Sequence, residues 1–221
     1  MSPDGPEKGL PGINLLDEER ARSFDDIVTH VFAPIYPVIA SQVLERTNIR
    51  RGVGLDLGTG PGLLAIALAD QSDLRVYALD LSPVALMIAS EHIRDAGLVR
   101  RVVPVLGDVS ELPFEDNSID LIVSRGSWFF WDEIATAFRE IQRVLVRGGF
   151  AYIGGGFGNA TLREEISATM RARDPDWEKG VRERQQKNRP ERIREEFQKA
   201  GIAHYHLIQD DSGLWAVMEK E

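Results

Sequence analysis

The chain has 221 residues, 26 Lys and Arg against 35 Asp and Glu, a net charge of -9 and no cysteine. That length suits one domain with its own core, and 43% hydrophobic with 28% charged residues excludes collagen-like, coiled-coil and wholly disordered chains. The missing cysteines exclude disulfide scaffolds, thiolate nucleophiles and cysteine-based zinc sites, and the acidic balance argues against nucleic acid or an anionic membrane as partner.

Residues 1–12, with Pro3, Pro6 and Pro11 among glycines and charges, read as a flexible tail. MSPDGPEKGLPG offers no apolar stretch for secretion, so a cytoplasmic protein is expected. No run reaches the roughly 18 apolar residues of a membrane span. A helix is predicted from Asp17, where Asp17, Glu18 and Glu19 suit the positive end of its dipole and Phe24, Ile27, Val28, Val31 and Phe32 recur on one face. Pro34 and Pro37 break it, and a second helix is expected over 38–45.

From there strands alternate with helices. Strands are predicted at 52–57, 75–79, 102–106, 119–124 and 150–153, and helices at 62–69, 83–95 and 132–146. The near-continuous apolar strands and the right-handed crossover rule predict a doubly wound α/β sheet, mostly parallel, with helices on both faces. A helix over 161–171, a polar helical stretch to residue 200 and a hairpin of 204–209 with 215–219 complete the chain, with Asp210, Asp211, Ser212 and Gly213 as its turn. The expected organisation is a tail at 1–12 and one domain at 13–221. That domain comprises a helical cover at 13–47, a core at 52–156, a helical insertion at 157–200 and the terminal hairpin at 201–221.

The sharpest motif is LDLGTGPG at 55–62, where the first strand passes into a helix. Glycines let backbone approach a ligand, and the helix start supplies free N–H groups. The dinucleotide fingerprint needs a glycine where this chain has Leu63, which weakens a nicotinamide-binding reading without removing it. Asp80 and Asp108 end the second and third strands at the same sheet edge. Each carboxylate suits either a helix or turn cap or a ligand contact, Asp80 with a ribose diol and Asp108 with an adenine amino group, while Leu81 offers an apolar face to a purine.

From residue 52 to 156, through LDLGTGPG, ALDLS, GDVSELPFEDNSIDLIVSRGS and REIQRVLVRGGFAYIGGG, the chain resembles the class I S-adenosylmethionine-dependent methyltransferases, of the small-molecule, type 11-like group. The resemblance implies a Rossmann-like seven-stranded sheet whose last strand is antiparallel. It implies S-adenosylmethionine as cofactor and S-adenosylhomocysteine as product. Its cofactor-binding residues carry over to Asp56, Gly58, Thr59, Gly60, Gly62, Asp80, Leu81, Asp108 and Val109, and it gives Asp120 a mostly structural role.

Substrate-side residues are sought after strand four, in SRGSWFFW at 124–131. Ser124 and Arg125 are expected beside the cofactor, with Arg125 pairing with the cofactor carboxylate, with Asp56, or in a purely structural ion pair. The aromatic run suits a hydrophobic lip or ordinary packing. His30 and Tyr36 are candidates for deprotonating or orienting a nucleophile, against a plain role in the partial core. His204 and His206 share a strand face but lack a third metal ligand, so no metal site is expected. Arg182, Arg184, Lys187, Arg189, Arg192 and Arg194 form a basic patch that suits either an anionic substrate or a solvated helix face paired with Glu178, Glu195 and Glu196. Gly154, Gly155, Gly156 and Gly158 suit a lid hinge or tight turns. The expected function is methyl transfer to a small-molecule acceptor. The alternatives are a non-catalytic S-adenosylmethionine-binding module and an NAD-dependent oxidoreductase.

Overall fold

Seven apolar runs associate into one sheet in a computed structural model that describes residues 18–221. The expected tail and Asp17 lie outside the described residues. The strands are β1 (Arg51–Leu57), β2 (Asp73–Asp80), β3 (Val102–Leu106), β4 (Ile119–Arg125), β5 (Leu145–Gly155), β6 (Tyr205–Asp210) and β7 (Gly213–Glu219), in the spatial order β3-β2-β1-β4-β5-β7-β6. The pairs from β3 to β5 are parallel, and β7 runs antiparallel to both β5 and β6. The order reverses between β1 and β4, and such a reversal opens a crevice at the carboxyl ends of those strands.

Alternation along the strands feeds two cores. Leu74, Val76 and Ala78 of β2 enter one, and Leu79 and the partly buried Tyr77 pack with the other. The first face is covered by α1 (Glu18–Ile27), α2 (Ile35–Thr47), α3 (Leu63–Asp70) and α4 (Pro83–Asp95), joined later by α6 (Ala160–Arg173) and α7 (Trp177–Lys187). The second is covered by α5 (Ile134–Val144) and α8 (Pro190–Ala200), where Phe138 and Phe197 stack with centroids 4.2 Å apart. The insertion therefore divides between the faces.

Three boundaries differ from expectation for physical reasons. α2 starts at Ile35 with Pro34 as its cap and Pro37 inside its first turn, where a missing N–H costs no intrahelical bond. Between α1 and α2 the chain continues as a π-helical turn, Val28–Phe32, before bending by 72°. β5 begins at Leu145 rather than at 150, because Leu145 pairs with Ile119 of β4, and the helix expected to reach 146 stops at Val144. The expected terminal hairpin forms, and Asp210 accepts from Ser212 N at 2.8 Å across its turn. Among the described residues no single helix is long and apolar enough to cross a membrane.

Candidate functional site

The loop between β1 and α3 is shaped by its glycines. Gly58 has φ +65°, and a Cβ there would meet Ser127 Cβ at 2.4 Å. Gly62 has φ +85° and caps α3, and its hydrogen lies where a Cβ would press on Ala89 at 3.1 Å. The loop is then stitched to β2. Thr59 N donates to Leu79 O at 2.9 Å and Gly60 N to Asp80 Oδ2 at 2.8 Å. Asp80 Oδ1 accepts from Ser82 N at 2.9 Å, while Ser82 itself caps α4 by accepting from Ala85 N at 3.2 Å. Burial raises the Asp80 carboxyl above its ordinary range against the pull of these N–H groups.

Asp56, at the end of β1, is buried and accepts from Thr59 Oγ1 at 2.6 Å. Burial lifts its carboxyl to about 7, and the nearby charge of Asp80 adds to the rise while the Thr59 bond opposes it. Asp108 stands exposed beyond β3, and its Oδ1 accepts from Ser110 N at 2.8 Å and Ser110 Oγ at 2.7 Å. These three acids face one cavity of about 530 Å³, into which Gly58, Thr59, Gly60, Val109 and Arg125 also open. Leu81 lines it too and is 66% exposed, an apolar surface left open at the cavity wall.

Two residues expected at this cavity lie outside its lining. Ser124 is fully buried beneath it, and Ser127, within 2.6 Å of Ser124 Oγ, lines the wall, although both hydroxyls donate to Leu57 O, at 2.8 and 2.9 Å. Gly62 serves the helix start and the contact with α4 instead. Asp120 has the structural role expected of it, accepting from Val53 N at 2.7 Å.

Arg125 pairs with no carboxylate among the described residues. Its Nε and Nη2 donate to Gly156 O at 3.3 and 3.2 Å, and its guanidinium lies 5.1 Å from the Phe32 ring and 5.8 Å from the Tyr36 ring. Tyr36 lines the large cavity, and burial raises its phenol above the ordinary value, so it stands there as a protonated donor. His30 lines neither this cavity nor its neighbour. Its side chain is 67% exposed and lies 3.0 Å from Asp26 Oδ1, because the π-helical turn points it outward. His204 sits 2.8 Å from Glu221, and no metal-ligand cluster occurs among the described residues.

A second cavity of about 200 Å³ adjoins the first and shares Phe24, Arg125, Gly126 and Phe130 with it. Phe129 lines it, Trp131 lines the larger one and Phe130 lines both, while Trp128 borders the smaller cavity from within the core, so the aromatic run divides between cavity wall and ordinary packing. Gly155 and Gly156 also border it, where β5 closely approaches Phe129 and the β6–β7 turn. Phe24 escaped the sequence reading, being one more apolar residue on a helix face, whereas Ser127 lay within the 124–131 run searched for substrate-side residues.

A family model for a methyltransferase domain matches residues 55–153. A crystal structure from Methanococcus maripaludis, provisionally assigned as an S-adenosyl-L-methionine-dependent methyltransferase, is 45% identical, with a TM-score of 0.90 over 100% of this chain and 97% of that one. An uncharacterised methyltransferase of Mycobacterium tuberculosis is 36% identical over 116 residues, 52% of this chain and 44% of its own length. A malonyl-[acyl-carrier protein] O-methyltransferase of Geobacter sulfurreducens is 30% identical over 187 residues, 80% of this chain and 67% of the relative. The chain thus spans under half the length of the mycobacterial relative.

Proposed function

The chain belongs to the class I S-adenosylmethionine-dependent methyltransferases, of the type 11-like group, and on that footing we propose that it methylates a small-molecule acceptor, with the cofactor in the larger cavity and the acceptor in the smaller. The donor set of the larger cavity fits the cofactor. Asp56 is a buried carboxyl with no cationic partner among the described residues, suited to an ammonium. Asp80, held by two N–H groups, keeps lone pairs for ribose hydroxyls. Leu81 and Val109 flank the wall beside Asp108, suited to a purine and its amino group. Gly58, Thr59 and Gly60 leave backbone open to the amino-acid portion, and Arg125 stands where it can answer a carboxylate.

When bound, S-adenosylmethionine supplies a methyl group on a positively charged sulfur, ready for in-line displacement. The chain's own residues align and desolvate. Phe24 and Phe130 give the junction of the cavities an apolar wall, and the protonated Tyr36 offers a donor to an acceptor atom beside it. Two cavities meeting at Arg125 and Phe130 are the observation that carries this assignment, because transfer between ligands needs them in adjoining compartments. The name of the Geobacter relative makes oxygen nucleophiles the first acceptors to screen.

The test is a parallel calorimetric titration with S-adenosylmethionine, S-adenosylhomocysteine and NAD, followed by measurement of S-adenosylhomocysteine formed with an acceptor panel. Dissociation constants on the order of micromolar for both adenosyl ligands and none for NAD are expected. Binding of NAD alone would overturn the proposal in favour of hydride chemistry, and adenosyl binding with no product from any acceptor would favour a non-catalytic binding module.

A further inference from the structure

α7 presents Trp177, Val181 and Arg184 to the smaller cavity, positions that fall on one helical face, and Asn188 follows them just past its end. An arginine therefore occupies a place that the pattern reserves for an apolar side chain. Its neighbour Arg182 behaves as a surface charge, 65% exposed and 3.5 Å from Glu178. Arg184 turns inward, with its guanidinium 5.5 Å from the Trp177 ring. Across the cavity stands Arg125, near the rings of Phe32 and Phe157. Among the described residues neither guanidinium has a carboxylate partner.

Aromatic faces attract cations, yet they offer guanidinium N–H groups no strong acceptor. Burial lowers the Arg184 pKa, and the charge of Arg125 lowers it further, with only Glu183 opposing. Arginine nonetheless stays charged at any physiological pH. Two like charges thus face an apolar space that no acid among the described residues lines, an arrangement that costs desolvation and repulsion until an anion enters. The rest of the basic patch does not share this setting, since Arg189, Arg192 and Arg194 are exposed.

We infer that the acceptor is a small molecule with an oxyanion and an aromatic or similarly apolar body, the oxyanion held by Arg184 with Arg125 and the body against Phe32, Phe129 and Trp177. This rests on the assignment of the smaller cavity to the acceptor. Arg125 lines both cavities and Arg184 only the smaller, so Arg184 carries the selectivity.

The experiment is calorimetric titration of the full chain with phenylacetate, phenyl phosphate and the neutral phenylacetamide, each with and without saturating S-adenosylhomocysteine. At least one anion is expected to bind about tenfold or more tightly than the amide, as one charge-assisted pair implies. The tighter anion identifies the oxyanion as carboxylate or phosphate. Arg184→Gln is expected to bring the anion down to the affinity of the amide, and Arg184→Lys to retain part of the preference. Equal binding of amide and anions, no anion binding, or an unchanged preference in a folded Arg184→Gln would overturn the inference. Should that variant fail to fold, the preference of the unaltered chain and of Arg184→Lys decides. Binding of S-adenosylhomocysteine without the anions sinks this inference alone. Anion binding that depends on Arg184 without S-adenosylhomocysteine binding leaves an anion site but overturns the methyl-transfer reading, and with it the identification of the anion as the acceptor.

Discussion

The two cavities are built on opposite principles. In the larger one the acids are held before any ligand arrives: Asp80 by Gly60 N and Ser82 N, Asp56 by Thr59, and Asp108 by Ser110. In the smaller one the walls are aromatic, and its two guanidinium groups have no carboxylate partner among the described residues. A preorganised polar wall recognises the same ligand in every catalytic cycle with little reorganisation. An apolar wall with unspent charge discriminates by shape and charge, and it can be altered without disturbing the first.

Breaking the larger cavity should have the largest effect. Asp80→Ala removes the acceptor for Gly60 N and Ser82 N together with the proposed ribose contact, and charged hydrogen bonds of about 1.5–3 kcal/mol each imply a loss of roughly 100-fold or more in S-adenosylmethionine affinity. A change under about threefold by titration would contradict the assignment. Gly58→Ala should come next, since its Cβ would fall 2.4 Å from Ser127 Cβ at a φ of +65°. A loss of about 1–3 kcal/mol in chemical denaturation is expected.

A pH titration sharpens the comparison further. The Asp56 pKa of about 7 is raised, so its contribution to the stability of the unliganded fold is full below about 4 and is lost as pH rises through about 7. A ligand ammonium favours the ionised carboxylate, so binding runs the other way. Affinity for S-adenosylhomocysteine should fall by up to about tenfold per pH unit below about 7, and the ligand-induced rise in melting temperature should be larger at pH 8 than at pH 6. An equal rise at both would break the proposed Asp56 contact. Ser82→Ala should cost about 1 kcal/mol of stability through the lost α4 cap. His30→Ala should change neither binding nor turnover by more than about twofold, because His30 lies outside both cavities.

The same division explains what the sequence revealed. The larger cavity is assembled from β3, β2 and β1, neighbours in the sheet whose carboxyl ends bear contiguous motifs, so the convergence of Asp56, Gly60, Asp80, Leu81 and Asp108 on one cavity was legible by type and position. Strand parity alone does not say which of two serines around a bend reaches the cavity wall, and it is Ser127 that lines it while Ser124 is buried beneath. The smaller cavity gathers Phe24, Phe32, Trp128, Gly156 and Arg184 from segments far apart in the chain. No local pattern announces that meeting. The basic run on α7 was visible, but the inward turn of Arg184 depends on how Trp177 packs against Phe32, with ring centroids 5.9 Å apart. His30 misled for a related reason, since the π-helical turn shifts the face that simple helical spacing assigns to it.

The division between a cofactor compartment and an acceptor compartment is tested most directly by hydrogen exchange of the full chain with and without S-adenosylhomocysteine. Slowed exchange at 58–62, 80–82 and 107–110, with α7 exchanging as before, is expected. Protection along α7 with none in the 58–62 loop would contradict it.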